Sequence, residues 1–426
     1  MDKLKLGIGR EIITPQIGGE LYGYGKGVIS EKVNDDLTVT AFYFEQGTQK
    51  ALMVSMTVCL INTKLAEHLI SRIEECFGIP ADCCMLCATH THSGPDIVSE
   101  DYDSKYVEEI FAPALFAAAR KSVGSAEPVR MGAKRADSFI GINRRELTED
   151  DRVILGQNPW GCFNPKMTVL SFMREDGTIL ANMIHYGAHC TAAGKNHEIS
   201  RDWAGVMIDA LERTTGGITA FFNGPEGDVG PRLSNGKTTG DLSFVYEHGA
   251  LAARDAIRIQ QRIDSYGDEK LCAAACDLCI PVKQRIPLRE AEAQYELVKD
   301  AAGRTAVKTA AHFRKIIESY KKGEPELKEH VLRQRIIALG DIVFVSFPFE
   351  MFSEVGLRID RIIEDKEVLS LACTNGSEGY FVTYDAICRG GYEVGRYQIR
   401  HVQDYFDGAD GYVVRGSVEN IRKVLE

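Results

Sequence analysis

The first third of the chain alternates between strand-like and helix-like hydrophobic patterns. Residues 37–44 and 50–59 are rich in β-branched and aromatic side chains, which is typical of strands. Residues 62–77 carry apolar side chains at helical spacing, and residues 104–122 repeat that pattern. The apolar run at 83–88 lies between the two predicted helices. This order of elements predicts a mixed or partly parallel sheet flanked by helices.

The middle of the chain predicts a hairpin, then a helix and a short buried strand. Residues 167–173 and 179–185 are strand-like runs on either side of an acidic turn that contains glycine. Residues 203–214 have helical periodicity, and residues 218–222 form an apolar run that leads into a glycine-rich turn. Residues 335–347 predict two more strands. Strand-forming segments therefore occur in both halves of the chain.

Residues 286–333 are the most helical part of the sequence. Two polar helices are predicted there, at 288–302 and 307–321, as a solvated insertion that covers the cleft and has no chemistry of its own. Because strands at both ends of the chain can join one sheet, residues 1–426 are expected to form a single domain. The predicted fold class is α/β of the mixed α+β kind, with a large mixed β-sheet core flanked by helices and a site at the strand ends.

Charge and composition narrow the function classes. The 426-residue chain has a formal net charge of -11, which argues against nucleic-acid binding because phosphate contacts need clustered Lys and Arg. No apolar run reaches the roughly 18 to 20 residues that span a bilayer. The N-terminus enters a strand-like run without a signal-peptide pattern, so a cytoplasmic location is expected.

The 12 cysteines lie mostly in apolar segments, and buried free thiols are expected. Two Cys-x-x-Cys pairs occur, Cys84 with Cys87 and Cys276 with Cys279. A zinc ribbon needs two such pairs at short separation, and these pairs are far apart. The cysteine pattern therefore does not favour a four-cysteine zinc site.

The sequence His90-Thr-His92 is the strongest chemical signal, and it follows the 83–88 run directly. Side chains two residues apart on a strand point to the same face, so both imidazoles are expected in one cleft. The Ser-Gly-Pro-Asp that follows ends the strand. Two imidazoles and an acid at a sheet edge favour a metal site or an acid–base site.

Three further segments end in residues suited to metal binding or proton transfer. His189 and Glu350 each follow a hydrophobic strand, and Tyr380 and Tyr392 follow another. Residues after strand ends converge on one edge of an α/β sheet, and two histidines with a carboxylate and an open fourth position form a catalytic zinc set. Each signal alone also has a plain structural interpretation: a hydrogen-bonded histidine, a helix N-terminal charge at Glu350, or a core tyrosine.

Six motifs in the same order resemble those of the neutral (alkaline, non-lysosomal) ceramidases, which are zinc amidases that cleave the N-acyl bond of ceramide. The motifs are Thr89-His-Thr-His-Ser-Gly-Pro95, Asn143-Arg144, His189 with Ser200-x-Asp202, Asn223 to Pro231 with its Gly-Asp-Val-x-Pro, Phe347-Pro-Phe-Glu350 with Gly356, and Tyr380-x-x-Thr383 with Tyr392-Glu393. They extend over nearly the whole chain, and together they are much more specific than any one of them.

The resemblance implies hydrolysis of an amide by a water that zinc activates, with one Zn²⁺ per chain. It places His92, Arg144 and Tyr392 near the reacting carbonyl or the released carboxylate. His92 is then the general acid and base, Arg144 binds a carboxylate or polarises the carbonyl, and a tyrosine helps to stabilise the oxyanion. The implied zinc ligands are His90, His189, Glu350 and Tyr380.

The chain departs from the family pattern at Gly230, where the family carries a serine in the Gly-Asp-Val-Ser-Pro loop. A serine nucleophile is excluded there, and Gly230 is kept as a substrate-contact position in a water mechanism. Asp228 in the same loop is expected either to orient a histidine or to form the turn. The immunoglobulin-like domain at the C-terminus of characterised members is not seen, so a catalytic domain alone is expected.

Two other functions stay open. One is a zinc hydrolase of the same fold that acts on a small, non-lipid amide or ester, which Gly230 and the missing export signal favour. The other is a non-catalytic metal-binding homologue. The substrate is thus a small-molecule or lipid N-acyl compound. A His-x-His amidohydrolase barrel predicts eight regular strand–helix units, and this pattern is not found.

Overall fold

Three main β-sheets form the framework of the computed structural model, which describes residues 2–99, 102–301, 304–398 and 400–426. The first sheet has the strand order Cys84–Ala88, Gln49–Met56, Thr38–Gln46, Lys5–Ile12 and Glu127–Pro128. The second has the order Ile218–Asn223, Ile179–Tyr186, Lys166–Met173 and Arg130–Asp137. The third has the order Leu271–Pro281, Glu329–Leu339, Ile342–Ser346 and Glu367–Leu371.

Each main sheet is antiparallel except for one parallel pair. The parallel pairs are Gln49–Met56 with Cys84–Ala88, Ile179–Tyr186 with Ile218–Asn223, and Ile342–Ser346 with Glu367–Leu371. A smaller three-stranded sheet has the order Val153–Asn158, Gly141–Leu147 and Val229–Pro231. Three two-stranded sheets pair Lys32–Val33 with Glu198–Ile199, Leu21–Tyr22 with Gly94–Pro95, and Glu350–Met351 with Tyr380–Phe381.

Helices cover the outer faces of the sheets. They are Thr63–Phe77, Ser104–Tyr106, Ala112–Gly124, Asp202–Thr215, Leu242–Gln260, Leu288–Val298, Arg304–Lys321, Ser353–Ile362, Tyr384–Arg389, Tyr392–Tyr397 and Ala409–Leu425, with a 3-10 turn at Ala81–Cys83 and a π-helical turn at Val107–Phe111. Among the described residues, no helix combines the length and the apolarity that a membrane span needs.

The three sheets share one apolar core. Phe42 of the first sheet packs against Phe222 of the second, with ring centroids 5.7 Å apart, and Phe344 of the third sheet lies in the same cluster. Burying a side chain of this size contributes about 1.5–3 kcal/mol. The opposite face of strand Thr38–Gln46 packs against helices through Val39 and Tyr43. This strand is therefore buried on both faces.

The mixed α/β class is confirmed, and the strands are divided among three packed sheets instead of lying in one. The inner face of the first sheet stacks on the other two sheets and helices cover its outer face, so its strands are buried on both faces without joining the other sheets edge to edge. A single domain over residues 1–426 stays a prediction. All 12 cysteines are free, and seven of them are buried.

The predicted helical insertion is present as two packed helices. Leu288–Val298 and Arg304–Lys321 contact each other through a small apolar cluster that contains Ala291 and Ile316. The predicted end of the first helix, at residue 302, lies outside the described residues. The last residues of the predicted insertion at 286–333 belong instead to strand Glu329–Leu339, which pairs along its whole length with Leu271–Pro281.

Candidate metal centre

The three parallel pairs all direct their carboxyl ends toward one place. A candidate side chain follows each of the six strand ends by two to four residues, and atoms of neighbouring members lie within 4.8 Å of one another. In chain order these residues are Cys59, His90, His189, Glu226, Glu350 and Cys373. The convergence at strand ends that the sequence predicts is therefore present, with three sheets in place of one.

Two of these strand ends are joined by a buried amide. Asn223 Nδ2 donates to the carbonyl oxygens of Thr89, at 3.1 Å, and of Ala188, at 3.2 Å. Its Oδ1 accepts from the Ala188 N–H at 3.2 Å. Thr89 and Ala188 each precede a candidate histidine, so this amide fixes the spacing between the two histidine-bearing segments.

His90, His189 and Glu350 form the tightest candidate ligand set. His90 Nδ1 donates to the Cys59 carbonyl at 2.9 Å, and His189 Nδ1 donates to the Glu226 carbonyl at the same distance. The other ring nitrogens face Glu350 Oε2, which lies 3.5 Å from His90 Nε2 and 3.4 Å from His189 Nε2. The three residues are 1%, 0% and 9% exposed. Backbone carbonyls thus set both ring orientations, as they do for many metal-binding histidines.

The chemistry of this set fits a divalent metal ion. His189 Nε2 is buried and has no hydrogen-bond partner among the described residues. Burial lowers the pKa of His189 to about 3, so the ring is neutral and Nε2 carries a lone pair. Although burial opposes it, the positive charge of His90 holds the pKa of Glu350 well below its usual range. A buried lone pair beside an ionised carboxylate needs a proton or a cation between them, and this donor set suits zinc.

His92 lies beside the set and not within it. Its Nε2 is 3.3 Å from His90 Nε2, and it is not one of the three residues grouped around Glu350. The strand ends at Ala88, and His90 has a left-handed backbone with φ of 67°. The expectation that both imidazoles reach one cleft is confirmed, but the reason given for it is wrong. A backbone turn, and not strand alternation, brings the rings together.

Arg144 and Tyr380 form a second polar group next to Glu350. Tyr380 pairs with Glu350 in a short parallel ladder, and its hydroxyl accepts from Arg144 Nη2 at 2.9 Å. Arg144 Nε donates to Glu393 at 2.9 Å, and Arg145 donates to the other oxygen of Glu393 at 2.7 Å. Glu393 therefore neutralises part of the charge of Arg144 from within the protein, and the guanidinium is oriented toward the Tyr380 hydroxyl.

The other predicted site residues lie at the edge of the site. The Tyr392 ring is 6.0 Å from the Tyr380 ring and is 41% exposed, so it lies at the mouth. Gly230 pairs with Ile142, and a Cβ built on it lies 2.5 Å from Thr238 Cβ. Thr238 thus occupies the space that a serine side chain at Gly230 needs.

The expectation that Asp228 orients a histidine is wrong. Asp228 Oδ1 accepts from the Ser353 N–H at 2.8 Å, and Oδ2 accepts from the amide of Asn143 at 3.2 Å. Its backbone carbonyl also accepts from the Arg144 N–H at 2.8 Å. A carboxylate in a tight turn is closest to the backbone of the segments packed against that turn. Asp228 therefore positions the Arg144 segment and the helix that follows Glu350.

Three residues close to His90 were not predicted from the sequence. The thiols of Cys59 and Cys373 are each 3.6 Å from His90 Nδ1, and Cys373 Sγ donates to Glu226 at 3.0 Å. Burial raises the pKa of Glu226 to about 8. Each of the three follows the end of a strand, and that shared position is the signal that identifies them.

Comparison with known proteins identifies ceramidases as relatives. No protein-family model matches the chain. Neutral ceramidase A of Dictyostelium discoideum is 27% identical over 252 residues, which are 52% of this chain and 35% of that protein. Neutral ceramidase B of the same organism is 26% identical over 232 residues, 48% of this chain and 32% of that protein. The matched part thus spans about a third of the length of these curated relatives.

Solved structures show the same fold. The crystal structure of neutral ceramidase from Pseudomonas aeruginosa has a TM-score of 0.77 at 18% identity and covers 100% of this chain and 75% of that one. A ceramidase complexed with C2 has a TM-score of 0.76 at 17% identity and covers 99% of this chain and 76% of that one. The resemblance to the neutral ceramidases that the sequence motifs indicated is confirmed.

Proposed function

We propose that this chain, a relative of the neutral ceramidases in sequence and fold, is a zinc-dependent hydrolase that cleaves the amide bond of an N-acyl substrate. The observation that carries the proposal is the meeting of His90, His189 and Glu350 at the carboxyl ends of three parallel strand pairs. When bound there, a zinc ion supplies Lewis-acid chemistry: it activates water as a nucleophile and polarises a carbonyl.

The residues around the ligand set divide the remaining work. His92 Nε2 lies 3.3 Å from His90 Nε2 but outside the group around Glu350, so it is available to carry a proton from the water to the leaving amine. Arg144 donates to the Tyr380 hydroxyl and places positive charge beside it. Such a preorganised pair stabilises the negative charge that develops on the carbonyl oxygen. Tyr380 is then either a fourth ligand or the hydroxyl that contacts this oxygen.

The proposed substrate class is a lipid amide of the ceramide type. The names of the matched relatives support this class. The exposed Tyr392 ring next to Tyr380 is the part of the site that the substrate meets first.

The direct test is turnover by the zinc-loaded protein on a panel of ceramides, N-acyl amino acids, short amides and esters, with release of the acid as the measurement. Wild type is expected to hydrolyse ceramide, and His189→Ala is expected to lose at least about a thousandfold in kcat/KM, because the reaction loses its activating group. His68→Ala changes an exposed histidine on helix Thr63–Phe77 and is the matched control. Turnover of short amides alone rejects the lipid substrate, and no turnover by the zinc-bound protein rejects catalysis.

A further inference from the structure

A cavity with both apolar and polar lining lies between the segments that flank the helical insertion and the segment at 401–405, and the catalytic proposal does not use it. Its volume is about 140 Å³. Arg285 and His330 line one side, and His401 and Tyr405 line the other. The imidazole of His401 lies 4.9 Å from the Tyr405 ring and 5.4 Å from the His330 ring, measured between centroids. Three aromatic rings and a guanidinium therefore form its wall.

Three atoms of this wall are buried without a hydrogen-bond partner among the described residues. They are Arg285 Nε, His401 Nε2 and Tyr405 Oη. Tyr405 is 2% exposed. A buried polar atom left without a partner destabilises the fold, so three on one cavity wall require an explanation. A ligand that accepts hydrogen bonds supplies it.

The wall is held in place by contacts that do not use these three atoms. Arg285 Nη1 donates to Ser319 Oγ at 3.1 Å, and the guanidinium carbon lies 4.0 Å from the centroid of the Tyr320 ring. The Gln403 amide donates to the carbonyls of Lys283 and Leu327, each at 2.9 Å. Arg285 and the 401–405 segment are thus fixed in place, while Arg285 Nε, His401 Nε2 and Tyr405 Oη make no hydrogen bond to the described residues.

Arg285 is the cation on the described lining, and it favours an anion. Burial lowers the pKa of His401 to about 3, and the nearby charges of Arg400 and Lys315 lower it further, so this ring is neutral near pH 7. Arg285 adds a permanent positive charge. The opposing carboxyl groups include Glu324 on the lining, Glu378, whose Oε2 is 3.9 Å from His401 Nε2, and Asp404, whose pKa burial raises to about 7. Glu324 is exposed to solvent, so its charge is screened.

We propose that this cavity binds a small tetrahedral oxyanion, phosphate or sulfate, through Arg285, His401 and Tyr405. All three unpartnered atoms are able to donate, with His401 in its Nε2–H tautomer, and an oxyanion presents acceptors in several directions. The volume admits one such anion with a few waters. The site is independent of the proposed hydrolysis, and its ligand is recognised by charge and shape alone.

Calorimetric titration of the full chain with inorganic phosphate, at constant ionic strength set by chloride, tests the proposal. Saturable binding at one site per chain is expected. Tyr405→Phe removes only the hydroxyl and is expected to raise Kd about tenfold, and Arg285→Gln at least as much. Tyr397→Phe is the matched control, because the Tyr397 ring stacks on Tyr405 at 5.8 Å and does not line the cavity.

Further titrations identify the source of the anion. Sulfate is expected to bind like phosphate, and tighter binding of glycerol phosphate assigns the site to a phosphate ester with the same donors. Acetate or chloride that binds as tightly as phosphate overturns the proposal, as does the absence of saturable heat, which leaves the cavity to water. Wild-type affinity in a folded Tyr405→Phe or Arg285→Gln variant overturns it as well. The Arg285 variant decides the question if the Tyr405 variant does not fold.

Discussion

Asn223 ties together the two segments that carry the candidate histidine ligands. It satisfies the carbonyls that precede both His90 and His189. In Asn223→Asp the shape is kept but both donors are lost, so two buried carbonyls each lose a hydrogen bond, although Thr89 keeps the weaker one from Cys190 Sγ, and the free energy of unfolding is expected to fall by about 1–3 kcal/mol. Zinc affinity, measured by competition with a chelator, is expected to fall about tenfold or more.

The matched control for this variant is Asn182→Asp. Asn182 is a buried amide in the same sheet, and it donates to the hydroxyls of Thr215 and Thr219. Its loss is expected to lower stability by a similar amount and to leave zinc affinity at the wild-type value. Equal loss of zinc affinity in both variants shows a general effect of instability and contradicts the linking role of Asn223.

Asp202 gives the molecule a pH-dependent stability. Burial raises its pKa to about 6, against hydrogen bonds from the N–H groups of Ala193, Trp203 and Ala192. Between the unfolded pKa near 3.9 and the folded value, the folded state binds a proton that the unfolded state does not, so the contribution of Asp202 to stability rises as pH falls from about 7 to about 4.

The predicted readout is a difference between two unfolding curves. The free energy of unfolding of wild type minus that of Asp202→Asn is expected to increase by about 2 kcal/mol from pH 7 to pH 4, measured by urea denaturation. Asparagine does not titrate, so other groups cancel in the difference. A difference that is flat with pH, or that has the opposite slope, contradicts a raised pKa at Asp202.

At the scale of elements, the loop around Leu21–Tyr22 covers the site. The Tyr24 ring contacts His92 edge-on, with centroids 5.1 Å apart, and Gly23 has a φ of 131°. A Cβ at Gly23 lies 2.5 Å from the His92 ring. Gly23→Ala is therefore expected to displace His92 and to lower kcat about tenfold or more while zinc stays bound at one per chain, as measured by turnover and metal analysis.

Gly27→Ala is the control that separates the effect of backbone strain from that of the clash between a Cβ at Gly23 and the His92 ring. Gly27 lies in the same loop, has a φ of 86°, and has nothing within 4 Å of a built Cβ. Its variant carries similar strain and is expected to keep kcat within about threefold of wild type. If Gly27→Ala loses as much activity as Gly23→Ala, the loop is merely strain-sensitive and Gly23 does not position His92.

Sequence patterns identified many elements, and the exceptions have physical causes. Helix Thr63–Phe77 was predicted because apolar residues recur at helical spacing, and the structure adds that Asn62 caps its N-terminus. Helices Leu242–Gln260 and Ala409–Leu425 were not predicted. The second buries Val413, Val414 and Val418, whose β-branched side chains weaken a helical signal that only tertiary packing completes.

The candidate site was predictable where motifs marked it. His90, His189 and Glu350 stand in recognisable motifs, and the structure brings them together. The pairing of Arg144 with Glu393 joins residues that are 249 positions apart, and no local pattern encodes it. The sequence left two roles open for Asp228, orienting a histidine or forming the turn, and its hydrogen bond to Ser353, 125 positions away, is likewise not encoded by a local pattern.

At the scale of the whole molecule, three sheets meet at the candidate metal centre, so the ion is expected to stabilise the entire fold. Binding to the folded state alone adds about 2.7 kcal/mol at a free ion concentration one hundred times Kd. Chelation is thus expected to lower the thermal midpoint by several degrees, measured by calorimetry. His189→Ala is expected to show no change on chelation, and His68→Ala is expected to respond like wild type. Equal midpoints with and without chelator contradict a stabilising ion.

The strand patterns predicted one large sheet, and the structure has three packed sheets. Strand periodicity shows which segments are extended, and it does not show which strands pair. Phe42 and Phe344 belong to different sheets and one core, although both lie in similar apolar runs. The cytoplasmic location stays a prediction.

The most direct test of the central claim is the position of the metal. Crystals of the full chain grown with zinc are expected to show one anomalous peak at the zinc edge, about 2.0–2.2 Å from Nε2 of His90, Nε2 of His189 and a carboxylate oxygen of Glu350. The peak is expected to vanish in His189→Ala and to persist in His68→Ala. An empty site in zinc-saturated crystals, or a zinc ion held only by other residues, contradicts the account.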